Sequence, residues 1–126
     1  MNIISESYVL AALLRDKSAI VPILDLISPS DFQDVTNQLI AEAIWDAFEH
    51  KQPPNAAVMN GKLVGMVDAD VLRRLAFSCT QAMIEQVEYN AFEIKKASFQ
   101  EKVVRALEKQ VTAARKEIEN PDDFVV

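Results

Sequence analysis

The sequence predicts an all-α protein: a compact bundle of about five short helices followed by one long C-terminal helix. Three observations predict it. Apolar residues recur at three- and four-residue steps along most of the chain. Glycine is scarce: Gly61 and Gly65 are the only two in 126 residues, whereas sheets joined by tight hairpins rely on glycine-bearing turns. Asn60-Gly61 is the one hairpin-type pair, and neither flank alternates apolar with polar. Finally, an unbroken helical pattern runs from Glu88 to Ile118.

The elements follow in order. A first helix is expected from about Glu6 to Arg15, capped by Ser5, with Val9, Leu10, Leu13 and Leu14 on one stripe. Asp16-Lys17-Ser18 breaks it. Ser18 then caps a second helix, Ala19 to Ile27, with Pro22 near its first turn, where a missing N–H is harmless. Ser28-Pro29-Ser30-Asp31-Phe32 is a turn from which Phe32 plugs the core. A third helix is capped by Asp34 or Thr36 and repeats Leu39, Ile40, Ala43, Ile44, Ala47 and Phe48. Pro53-Pro54 ends it. Asn55 caps a short fourth helix to about Lys62, closed by Gly61 or Gly65. Asp68 caps a fifth, with Val71, Leu72, Leu75 and Ala76 inward.

The last helix is expected to start between Met83 and Gln86 and to stop at Asn120-Pro121. Val87, Ala91 and Ile94 form a stripe that packs on the bundle. Phe99, Val103, Leu107, Val111, Ala114 and Ile118 continue it in shifted phase. About 20 residues of helix reach about 30 Å, further than the bundle extends, so this second stripe needs a partner. The chain therefore divides into a globular part, 1–86, and an arm with its tail, 87–126.

Charge agrees with that division. The formal net charge is −6 and the pI about 4.7, which speaks against holding nucleic acid by net field. Residues 1–92 carry six Lys and Arg against twelve Asp and Glu; residues 93–126 carry seven of each. A balanced arm suits a helix that packs on another helix with charges at its margins. The lone Cys79 excludes an internal disulfide and suits a reducing compartment. No signal-peptide pattern and no membrane-length apolar run occur, so a soluble, cytoplasmic protein without membrane contact is expected.

Catalytic chemistry is missing. A phosphate loop built on Gly61-Lys62 would need Gly where Ala56 stands and Ser or Thr where Leu63 stands. One histidine, His50, and one cysteine do not make a zinc site. His50 suits the end of the third helix, and Cys79 a small, partly buried side chain. Asp68 and Asp70, like Asp31 and Asp34, read as helix-start and turn residues rather than a cation site. Arg73-Arg74 and Lys95-Lys96 lie among acids and read as solvated faces, so direct nucleic-acid binding is expected to be weak or absent. No cofactor and no metal are expected.

With these elements placed, the chain resembles the N-terminal domain of the DnaB-type replicative DNA helicase. ESYVLAALLRD stands where that family has a first helix of the type EQ-x-VLGALLLD. LISPSDF matches its S-P-E-D-F turn, and QLIAEAI (Gln38 to Ile44) its RLIFEAI helix. KQPPN (Lys51 to Asn55) matches the turn that follows, QAMIEQVEY (Gln81 to Tyr89) loosely matches the entry to its last helix, EIKKASFQEKV matches the I-V-x-x-K-S-x-x-R-x-L pattern after that entry, and NPDDF (Asn120 to Phe124) resembles the loop that closes the helix. Departures cluster on the third helix: Ala41 replaces a frequent aromatic, Trp45 a frequent charge, and Phe48 a small residue. Trp45 either folds over Ala41, conserving volume, or stands out as a docking anchor.

The resemblance implies a non-catalytic collar domain. It would self-associate through Phe99, Val103, Leu107, Val111, Ala114 and Ile118, as a dimer or within a hexameric ring. It would dock primase and, in some systems, a helicase loader. The ATPase motor belongs to the rest of such a helicase. Two alternatives share the fold: a free-standing phage or plasmid regulator of a host helicase or primase, and the helicase-binding end of a primase. A small nucleic-acid-binding domain is a third.

Overall fold

The computed structural model describes residues 1–119, and among these the regular structure is helical, without strands. The α-helices are α1 (Ile3–Arg15), α2 (Val35–Glu49), α3 (Ala56–Lys62), α4 (Ala69–Ser78), α5 (Gln81–Glu85) and α6 (Val87–Glu119); 3₁₀ segments lie at Lys17–Ile23 and Pro29–Asp31. The expected stop at Asn120-Pro121 and the NPDDF segment lie outside the described residues.

One apolar core joins α1, the first 3₁₀ segment, α2 and the base of α6. Val9, Leu10, Leu13, Ile20, Ile23, Ile40, Ile44, Met59 and Ile94 are fully buried in it. Phe32 enters from the turn as expected and is 2% exposed. Trp45 is half-buried and meets Phe32 edge-to-face, ring centroids 6.2 Å apart at 73°, a favourable quadrupole geometry.

Several caps fall where short-range chemistry places them. The side chains of Asp34, Asn55 and Asp68 accept from the backbone N–H groups of Asn37, Val58 and Asp70, satisfying donors that a helix start leaves open. His50 ends α2, its Nδ1 2.8 Å from the Asp46 carbonyl.

Other expectations are corrected. α1 begins at Ile3, capped by Asn2, because Ser5 is needed inside: its Oγ donates to Asn90 Oδ1 on α6. The second helix is not α but 3₁₀, and Asp16 caps it by accepting from Ser18 N. Pro22 explains this, since it lacks an N–H and its ring would clash with an α-type carbonyl four residues back. The entry to the last helix is split. Thr80 caps a separate α5, and the chain turns at Gln86 so that Val87 faces the core. Val71, expected inward, and Phe48, the last residue of the third helix's apolar repeat, are exposed.

α2 ends in a Schellman turn: Gln52 N donates to the Ala47 carbonyl and Lys51 N to the Phe48 carbonyl. This places Lys51 at φ 57°, a left-handed position usually given to glycine.

Candidate functional site

α6 has 33 residues and no Gly or Pro, so it extends about 50 Å as one rod. Its faces follow from about 100° of turn per residue. Val87, Ala91, Ile94 and Ser98 share one face and are buried in the bundle. The opposite face is open along the whole helix. Phe99 is 65% exposed, Leu107 56% and Ile118 77%. Val103, Val111 and Ala114 are exposed between them. All six residues singled out in the sequence therefore lie on one uncovered stripe.

The stripe begins earlier than the sequence reading placed it. Tyr89 and Phe92 are exposed on the same side, opposite the residues that pack on the bundle. Only Glu93 and Lys96 interrupt the run to Phe99. By sequence Val87, Ala91 and Ile94 account for this stretch as a buried face, and Tyr89 and Phe92 stand out only on a helical wheel that carries both faces. Val104 adds to the margin of the stripe.

Two buried polar contacts set the direction of the rod. Ser5 Oγ, on α1, holds Asn90 at 3.1 Å. Asp31, 1% exposed at the end of its 3₁₀ turn, accepts from Ser98 Oγ at 2.8 Å and from Ser28 N at 3.0 Å, with Lys95 Nζ at 3.4 Å and Lys102 Nζ at 3.8 Å. Burial alone would raise the Asp31 pKa. The hydrogen bonds from Ser28 and Ser98 and the Lys95 charge outweigh it and hold the carboxyl below its ordinary value. Further along, Glu101 and Arg105 pair at 2.8 Å, four residues apart, a spacing that supports an exposed helix. A cleft of about 390 Å³ at the base of the rod is lined by Met1, Phe32, Gln38, Ser98, Lys102 and Arg105.

A second buried carboxylate fixes the start of α2. Glu6, 1% exposed, accepts from Gln33 N, Asp34 N and Asn37 Nδ2 at 3.0, 3.3 and 3.2 Å. Both carboxylates are thus spent on architecture.

The remaining candidates are structural too. Asp68 and Asp70 serve the start of α4, and Arg73 pairs with Asp70 at 3.4 Å. Lys95 belongs to the Asp31 cluster. Cys79 is half-buried, and burial raises its thiol pKa, away from a reactive thiolate. Among the described residues no cluster of His, Cys, Asp and Glu is placed to hold a metal ion, and no helix is long and apolar enough to cross a membrane.

Comparisons with known proteins agree with this geometry. The family model of the DnaB-like helicase N-terminal domain matches residues 1–96. The crystal structure of the N-terminal domain of DnaB helicase from Mycobacterium tuberculosis is similar, with a TM-score of 0.78 and 24% identity, covering 91% of this chain and 86% of that one. No curated protein matches at a significant level.

Proposed function

This chain belongs to the family of the DnaB-like helicase N-terminal domain, and from that premise we propose that it is the non-catalytic self-association and docking unit of a replicative helicase. The single observation that carries the proposal is the open stripe of α6. The rod leaves the bundle in a fixed direction, and its apolar side faces away from its own body. A second copy offering the same stripe gives a self-complementary contact.

The magnitudes favour a reversible contact. Burying a Val, Leu, Ile or Phe side chain completely is worth about 1.5–3 kcal/mol. Five such residues, each roughly half exposed, give on the order of 5 kcal/mol per copy and about 10 per pair. Association itself costs about 4–15 kcal/mol. Assembly is therefore concentration-dependent, as suits a collar whose copies are also tethered by the rest of a helicase.

Primase and, in some systems, a loader are the proposed docked partners, as the family resemblance implies. Trp45 is the proposed anchor: it packs on Phe32 and is half-buried, so part of its indole stays accessible. The chain's own share is shape and contact, and strand separation belongs to an ATPase motor.

Light scattering across concentration tests the proposal. The chain is expected to move from monomer toward dimer or higher species, and Leu107→Asp to remain monomeric with an unchanged circular dichroism spectrum. Burying two fewer leucines removes at least about 2 kcal/mol per pair, roughly 30-fold in the dissociation constant. A chain and variant of identical, concentration-independent mass would reject it.

A further inference from the structure

The far end of the bundle carries a second surface with different chemistry. A groove of about 680 Å³ is floored by Val21, Phe48, Pro53 and Pro54 and flanked by Lys17 and Lys51. Val21 is 61% exposed and Phe48 38%. Neither lysine makes an ion pair within the described residues. Glu49 lies on the same rim, which leaves one net positive charge in a body whose first 92 residues carry six Lys and Arg against twelve Asp and Glu. Lys51 adds an independent observation. It holds the left-handed Schellman position at φ 57°, where glycine would sit without steric penalty. A strained residue with an unused charge beside an apolar groove points to a ligand.

We propose that this groove takes an acidic segment with an aromatic anchor, and that its occupant is Asp122-Asp123-Phe124-Val125 of a second copy. Two adjacent carboxylates fit the two lysines, and Phe124 with Val125 fits the apolar floor. The chain's own segment does not reach. Ser5 meets α6 at Asn90, whereas Met1 lines the cleft beside Ser98 and Arg105, so α1 and α6 run antiparallel. Glu6 meets Asn37, and Lys17 faces Phe48, so α1 and α2 run parallel. The rod therefore leaves at the end of the bundle opposite the groove. About 21 Å of rod beyond Arg105 and about 15 Å of α2 lie between tip and groove, while five residues from Glu119 to Phe124 span at most about 17 Å. The contact is thus between copies and separate from the α6 stripe.

The test titrates a fluorescein-labelled peptide of residues 117–126 into the whole chain and reads anisotropy. Saturable binding is expected that weakens with salt and with Phe124→Ala in the peptide. In the protein, Lys51→Gly relieves the backbone and keeps the fold, yet is expected to weaken binding about three- to fivefold, the scale of one exposed charge pair. Leu107→Asp is expected to leave binding unchanged, which separates this contact from self-association through α6. No saturable binding, equal affinity for the Lys51→Gly chain, or equal affinity for an unrelated acidic–aromatic peptide would each overturn the proposal.

Discussion

Asp31→Ala measures how firmly the rod is set on the bundle. The carboxylate is 1% exposed and receives Ser98 Oγ and Ser28 N, with two lysines beside it. Removing it strands two donors, one of them on a buried serine, and leaves Lys95 and Lys102 without their counter-charge. Each stranded donor costs about 1–3 kcal/mol. Lys95 and Lys102 reach solvent and add little. The expected loss is about 2–6 kcal/mol, which for a chain of this size lowers the melting temperature by roughly 10 °C or more. Thermal melts followed by circular dichroism at dilute concentration read this directly. The pH dependence has a definite sign. The folded pKa of Asp31 lies below its ordinary value, so its stabilisation is full above the unfolded pKa, near 3.8, and fades as pH falls through the lower folded value. The gap between wild type and variant should be widest near neutral pH and narrow in acid. A loss under about 0.5 kcal/mol, within the range of ordinary surface changes, or a gap that does not change with pH, refutes the assigned role.

Two further outcomes are expected. Glu6→Ala leaves Gln33 N, Asp34 N and Asn37 Nδ2 without their acceptor and should destabilise by about 3 kcal/mol or more in urea unfolding. Lys51→Gly should stabilise by about 0.5–1 kcal/mol in the same assay, because glycine takes φ 57° freely.

How much of this was legible follows from the range of each interaction. Asp34, Asn55 and Asp68 bond backbone groups two or three residues away, and local chemistry predicts them. The rod's buried stripe, Val87, Ala91 and Ile94, follows from period alone. Asp31 reads as a turn residue, which its bond from Ser28 N three residues back fits, but its burial and its bonds to Lys95 and Ser98, 64 to 67 residues away, are not legible locally, and neither is the burial of Glu6, whose partners lie 27 to 31 residues away. The same distance hid Ser5: a serine before an apolar run reads as a cap, and only contact with Asn90, 85 residues on, reassigns it. By sequence Pro22 fits the start of an α-helix, but its ring clashes with an α-type carbonyl four residues back, and the segment is 3₁₀. Of the candidate site, the six stripe residues were readable from their spacing, whereas Tyr89 and Phe92 depended on knowing which side of α6 the bundle occupies.

Hydrogen exchange along α6 tests the uncovered stripe most directly. Helical stability in proteins comes mostly from packing rather than propensity, so amides of residues 103–118, exposed on every side, should exchange quickly in dilute protein and slow markedly as concentration rises. Amides of 90–98, packed on the bundle, should stay protected throughout. Exchange over 103–118 that is independent of concentration would contradict pairing through this face.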